Sequence, residues 1–421
     1  MTPATARPSA PAALTRAQVV LLALLVASIL LNYVDRSNLS LAAPSVQKEF
    51  SLTDTQLGQL FSAFFWTYAL AQLCGAAGWA ADRLPVKQVL AVGVALWSAA
   101  TLLTGVLSGF AALFAVRLVL GVGESVAYPC YSRIFATEIP ASHRGLANAL
   151  IDAGSKIGPA LGTLLGGMLL KHVGWRMFFI VLGGLSMAWL VPWMLRRTSA
   201  TAGDVAPSAA PAWSPTTLDI LAQRSAWGAF FGHFSGNYFW YFLLTWLPTY
   251  LVRDRGFDTD AMVHFTSFAF FAIATATVLA GWSSDRLIAR GCSVTRVRKG
   301  MACGGLIGAI VVLPMTAVRD ETLALGLLIA SCLSIGVYAS NHWAMTQTLA
   351  GPLAAGRWSS LQNGVGNLAG IVASWLTGVV VDRTHSFTLA FAVAGCVALG
   401  GAAMWGLVVG PIRQVEWRTR S

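Results

Sequence analysis

Gly78-Trp79-Ala80-Ala81-Asp82-Arg83, with Lys87 just beyond, occurs again as Gly281-Trp282-Ser283-Ser284-Asp285-Arg286 with Arg290. Each copy closes a long apolar stretch and opens a short basic one. Further along, Arg144-Gly145-Leu146-Ala147-Asn148 echoes Arg357-Trp358-Ser359-Ser360-Leu361 at the corresponding place. Repeats at matching positions of two halves are expected of a membrane chain whose site lies between those halves.

Working outward, apolar stretches close to the length that crosses about 30 Å of hydrocarbon recur at 17–43, 54–80, 88–107, 110–135, 145–170, 176–195, 226–252, 262–284, 299–318, 321–348, 357–381 and 386–409. They predict an all-α membrane protein with twelve transmembrane helices in two pseudo-symmetric six-helix bundles. The expected division is a tail 1–16, a bundle 17–195, a linker 196–225 rich in Ala, Pro, Ser and Thr, a bundle 226–409 and a tail 410–421. Composition agrees, being 56% hydrophobic and 11% charged against roughly 25% charged for a soluble domain.

The net charge of +11 does not mark a nucleic-acid surface, because the basic residues punctuate apolar runs instead of clustering. Arg7, Arg16, Arg83, Lys87, Arg133, Arg144, Arg196, Arg197, Arg224, Arg286 to Lys299, Arg357, Arg413, Arg418 and Arg420 fall on one side. Lys48, Lys171, Arg176, Arg253, Arg255, Arg319 and Arg383 fall on the other. The positive-inside rule then places both termini in the cytoplasm. The cysteines stand singly without zinc spacing. The sequence has no spaced nucleophile and base, no phosphate loop and no metal cluster, so neither an enzyme nor a cofactor is expected.

Of the 28 Lys and Arg, only Arg36, Arg117 and Lys156 stand away from the ends of the apolar spans and so inside the membrane. A charge at mid-membrane costs about 2.5 to 3.5 kcal/mol on insertion scales, yet Asn32-Tyr33-Val34-Asp35-Arg36-Ser37-Asn38 holds two side by side. Arg117 and Glu124 are seven residues apart, about 20° from each other on one helix face. Two acids and two arginines on the first and fourth spans thus form either a structural ion-pair set or one wall of a polar cavity. A carboxylate that loses its arginine to an incoming anion takes a proton, which couples proton to anion.

At this point the chain resembles the major facilitator superfamily over nearly its whole length. The repeated G-x-x-x-D-R-x-x-x-[KR] word is that superfamily's signature, and Arg117-Leu118-Val119-Leu120-Gly121 looks like its R-x-x-x-G element. A narrower resemblance is to the anion:cation symporter family, which includes sialin, the vesicular glutamate transporters and bacterial galactonate and hexuronate permeases. It is carried by the Asn32 to Asn38 word, by Gly121 to Pro129, by Gly236 to Tyr250 and by Gln362 to Gly370.

The resemblance implies a monomeric, proton-coupled symporter of an inner membrane. It would import a small organic anion, a sugar acid or related carboxylate or dicarboxylate, by alternating access. It also implies Asp35 and Glu124 as the proton-coupling pair, Arg36 or Arg117 as partner of the anion, Tyr68 and Ser155 as polar substrate contacts, and Gly78, Asp82, Arg83, Asp285 and Arg286 as the gate. Tyr33 shares the face of Arg36. Asn237, Tyr238, Asn341, Trp343, Asn363 and Asn367 offer neutral hydrogen bonds from the second half.

Asp152 and Lys156, at i and i+4, read as a self-neutralising pair; if Lys156 faces the cavity instead, the third cation favours a dianion. His233 and His342 read as packing residues. The rival readings are a proton antiporter exporting amphiphilic compounds, an aromatic-acid importer of the same superfamily, and a non-transporting sensor on a transporter fold.

Overall fold

The computed structural model describes residues 14–140, 143–196, 215–318 and 320–417. Most of the expected linker, the tails before residue 14 and after residue 417, and with them Arg7, Arg197, Arg319, Arg418 and Arg420, lie outside the described residues. Within them the protein is all-helical. The helices are α1 (Arg16–Phe50), α2 (Asp54–Leu73), α3 (Ala76–Arg83), α4 (Val86–Val106), α5 (Phe110–Ser125), α6 (Ala127–Glu138), α7 (Arg144–Ala188) and α8 (Leu190–Leu195), followed by the short α9 (Thr217–Leu221). The second half comprises α10 (Arg224–Arg253), α11 (Thr259–Ala289), α12 (Val294–Gly308), α13 (Glu321–Ala339), α14 (His342–Thr384) and α15 (Thr388–Ala403).

Nine of the described helical stretches pass a length and hydropathy test for crossing a membrane, or ten if the pair α2–α3, bent by 60°, is one span. Two more crossings emerge on inspection. The stretch Leu146–Leu195 is broken at Gly174, whose φ of +74° no helix tolerates, so it crosses twice. The 30-residue α10 is long enough to span but carries His, Asn, Ser and Tyr. Together with α1, the bent pair α2–α3, α4, α5–α6, α11, α12, α13 and α15, and α14 beyond its break at Gly351 (φ +63°), these give the twelve crossings. The first is longer than expected, running to Phe50, because its second half is packed by the bundle and tolerates polar residues.

Local chemistry sets the ends. Thr15 and Thr53 each form a reciprocal capping box with a glutamine three residues on, and Asp258 and Asp320 cap α11 and α13. Several basic side chains close helix C-termini: Lys87 donates to the Met194 carbonyl at 3.0 Å, and Lys299 to those of Gly406 and Val409 at 2.9 and 2.7 Å. Cations there offset the helix dipole. Half-buried Arg196 pairs with Glu138 at 2.6 Å.

The helices approach closely through glycine. On α7, a Cβ at Gly154 would lie 2.6 Å from Ile29 and one at Gly158 2.7 Å from Tyr33, so α7 runs alongside α1. A Cβ at Gly121 would lie 2.2 Å from the Phe64 carbonyl oxygen, which seats α5 on α2. Between the halves, Gly58 abuts Ser374 and Gly378 abuts Asp54, which brings α2 against α14.

The two ends of the bundle differ. At the end away from the chain termini, Thr55 Oγ1 donates to Asp382 at 2.7 Å, Arg253 pairs with Asp54 and Lys171 pairs with Asp260. Phe61 meets Trp246 edge-on at 5.3 Å and Phe65 meets Tyr241 at 4.4 Å, continuing the contact inward. At the terminal end α3 turns away from the axis of α2 after Gly75 (φ +71°). Contacts between the halves close the far end, whereas at the terminal end α3 splays 60° away from α2.

Candidate functional site

Arg36 is the centre of the site. Its Nε donates to Glu124 Oε2 at 2.8 Å, with both side chains buried. Its guanidinium carbon lies 4.6 Å from the Tyr33 ring centroid, 5.0 Å from that of Phe64 and 4.7 Å from that of Tyr68. A desolvated cation–π contact is worth about 2 kcal/mol, so three rings and one carboxylate hold this charge out of water. Among the described residues Arg36 Nη2 and Glu124 Oε1 nevertheless have no hydrogen-bond partner. Each has capacity for a further group.

Glycine spacing builds this arrangement. Gly158 admits Tyr33, and Gly121 lets α2 press Phe64 and Tyr68 toward Arg36. Thr67 fixes the register by donating to the Leu118 carbonyl at 2.7 Å. Tyr33 shares a long 3.4 Å hydroxyl contact with Tyr128.

The other acid and arginine are placed differently from a simple pairwise exchange. Asp35, one residue and about 100° from Arg36, faces the interior of its own half. It accepts from Asn38 Nδ2 at 3.0 Å and lies 3.5 Å from Ser186 Oγ. Arg117 lies over Phe64 at 5.6 Å, in electrostatic reach of Glu124 and Asp35, with no ion pair to either among the described residues. Arg117 and Glu124 share a face as spacing predicts, but it is Arg36 that Glu124 binds.

The second half contributes a polar ladder. Tyr241 donates to Asn367 Oδ1 at 2.7 Å, and Asn367 Nδ2 in turn donates to the Asn363 side chain at 3.1 Å. Half-buried Asn237 stands by Gly366, close to His233. Trp343 lies against His233 and His342, with ring centroids 4.9 and 5.0 Å away.

Three expected contacts are turned elsewhere. Asn341 accepts from Ser284 at 2.8 Å and donates to Ser340 at 2.7 Å, on the side of α11. Ser155 donates to the Asp152 carbonyl at 2.7 Å and is buried. Tyr238 packs on Phe234 of its own helix. The expected Asp152–Lys156 pair is also absent among the described residues. Asp152 is exposed, and the charge of half-buried Lys156 reaches His233 and His342 across the gap between the halves.

The gate residues lie at the splayed end. Asp82 and Arg83 are exposed, and nothing comes within contact of a Cβ built at Gly78. Close helix approach at that glycine is therefore absent in this conformation, because α3 has bent away. Asp285 lies 3.9 Å from Arg298, and Arg286 covers the Trp282 ring at 5.1 Å.

Phe64 and Tyr128 were not singled out as site residues by the sequence. Phe64 precedes Tyr68 by one turn, and that spacing was the available signal.

The buried charge set of the first half and the polar ladder of the second, carried on two bundles of membrane-spanning helices, are the parts of a membrane transport protein. Residues 25–374 match the family model described as Major Facilitator Superfamily, and the chain belongs to that superfamily. It is 32% identical to a probable sulfoacetate transporter of Cupriavidus necator, over 91% of this chain and 92% of that one. It is 30% identical to a probable galactarate/D-glucarate transporter of Escherichia coli, over 96% of each, and 27% identical to the D-galactonate transporter of Escherichia coli, over 95% and 97%. In fold it is similar to a bacterial homologue of the lysosomal transporter Spinster, solved inward-facing and occupied, with TM-score 0.80, 17% identity and coverage of 94% and 97%.

Proposed function

We propose that this protein imports an organic anion, a sugar acid or related carboxylate or dicarboxylate, together with protons and by alternating access. Its membrane would be a cell inner membrane with both termini cytoplasmic, so that the splayed end faces inward. The observation that carries the reading is the buried Arg36–Glu124 pair with one unused donor and one unused acceptor.

A substrate carboxylate docks on the guanidinium, which matches it in plane and charge. Glu124 then loses its partner in a dry site and takes a proton. Arg117, lying among Asp35, Glu124 and Arg36, keeps the remaining charge balanced, and Asp35 serves as the second proton site. Tyr33 and Tyr68 from the first half and Tyr241, Asn363 and Asn367 from the second offer hydrogen bonds to substrate hydroxyls. The exporter of amphiphilic compounds would need an acid left unpaired in an aromatic cavity, whereas Glu124 is paired.

The test is uptake by proteoliposomes under an inward proton gradient, with labelled galactonate, glucarate, sulfoacetate and benzoate. Gradient-dependent accumulation of at least one aliphatic acid, abolished by Asp35→Asn with Glu124→Gln, is the expected result. Accumulation of none, or accumulation that survives the double substitution, would overturn the reading.

A further inference from the structure

The proton-coupled mechanism leaves Lys156, His233 and His342 without a role. Lys156 and Gly167 are eleven residues apart on α7 and so about 20° apart around it. A Cβ at Gly167 would lie 2.2 Å from Val263 of α11, so this face of α7 looks at the second half. Across from Lys156, the His233 and His342 rings lie 4.7 Å apart, and Tyr338 stacks on His342 at 5.4 Å.

These histidines are 3% and 5% exposed. His342 Nδ1–H donates to the Ala339 carbonyl at 3.0 Å, while His342 Nε2 has no partner among the described residues and His233 stands beside Asn237. Buried polar atoms are nearly always satisfied, so His342 Nε2, without a partner among the described residues and within electrostatic reach of Lys156, marks a place for a ligand. Among the described residues no group of three His, Cys, Asp or Glu gathers as a metal would require.

Resting on the organic-anion reading, we infer that Lys156, His233 and His342 form a second oxyanion subsite, and that the substrate is a dianion bridging from Arg36 to this cluster. The spacing fits. Gly154 meets Ile29, Gly158 meets Tyr33 and Gly166 meets Leu41, so α1 and α7 run parallel in constant register. Lys156 is then level with Leu31, five residues and about 7.5 Å along the axis from Arg36. The reach of the two long side chains narrows that gap to a compact diacid of a few carbons, a dicarboxylate or a carboxylate–sulfonate.

Because His342 Nδ1–H is committed to a carbonyl, Nε2 meets an acidic group only through a shared proton, while Lys156 supplies the fixed charge. The other groups facing the rings, Asn237, Trp343 and Tyr338, are neutral. Asp152 lies one turn nearer the terminal end.

The experiment measures binding to purified protein in nanodiscs for matched probes that differ by one acidic group: glucarate against gluconate, and sulfoacetate against acetate. The first pair tests dicarboxylates and the second carboxylate–sulfonates. The native protein is expected to prefer at least one dianion by about tenfold or more, and Lys156→Met and His342→Asn are each expected to bring that ratio near unity. Should Lys156→Met fail to fold, Lys156→Arg is expected to keep the ratio while His342→Asn loses it. Monoanions bound with no dianion preference, or a ratio indifferent to His342→Asn and to the folded lysine variant, would overturn this inference alone. Binding of neither class would overturn the organic-anion reading beneath it.

Discussion

Replacing Glu124 by glutamine tests the coupling directly. In the native protein the substrate anion competes with the Glu124 carboxylate for Arg36, across the 2.8 Å bond from Nε. Protonation of Glu124 removes the competitor, so anion affinity is highest in acid and falls as pH rises and the carboxylate returns. A hydrogen bond to a charged group is worth about 1.5 to 3 kcal/mol, which at 1.4 kcal/mol per decade is about ten- to hundredfold in Kd. Glu124→Gln presents a neutral amide at every pH. Its affinity is expected to lose the part of the pH slope that Glu124 contributes, leaving the shallower slope of Asp35 and His342, while proton-driven accumulation is lost. Equilibrium binding of the best anion by titration calorimetry, from mildly acid to mildly alkaline buffer, gives the slope. A Gln variant that retains the full native slope, or a native protein whose affinity ignores pH, would refute the exchange.

Without anion, the same variant leaves Arg36 buried and uncompensated, and breaking a buried pair costs about 3 to 5 kcal/mol; its melting temperature should fall and recover when saturating anion is added. Arg36→Lys keeps the charge but loses the planar fork, so anion affinity should drop about ten- to hundredfold, and affinity within threefold of native would remove Arg36 from the site. Gly378→Val would place a methyl-bearing Cβ 2.3 Å from the Asp54 carbonyl oxygen, an overpacking of about 1 to 3 kcal/mol at the closed end. A cysteine at buried Ser374, in a background lacking native cysteines, should then react faster with a membrane-impermeant maleimide from the far side. Arg253→Gln with Thr55→Val should move that labelling rate in the same direction, since both contacts join the halves only when the far end is shut; unchanged labelling would mean they do not hold that state.

Much of the architecture is a one-dimensional property. Span length and hydropathy, the duplicated Gly78 and Gly281 words and the matching Arg144 and Arg357 words depend on local composition, so the crossings and the family were legible in the chain. Even the polar span α10 and the break at Gly174 were legible, as the expected spans 226–252 and 145–170 with 176–195; the bend at Gly75 and the extension of α1 to Phe50 needed coordinates. The rarity of Arg36, Arg117, Lys156, Asp35 and Glu124 in apolar surroundings also singled them out by residue type alone.

Partner choice was not legible. Neighbours in a helix point about 100° apart, so a packing angle decides that Arg36 meets Glu124 while Asp35 turns to Asn38 and Ser186. The same geometry faces Asn341 toward Ser284 and leaves Lys156 without an ion pair to Asp152 among the described residues, within electrostatic reach of two histidines. Sequence by itself determined which charges enter the membrane and how many helices carry them. Tertiary structure alone decided which charges are paired, which keep an unused hydrogen-bonding atom, and which end of the molecule is closed, because each depends on contacts between residues far apart in the chain.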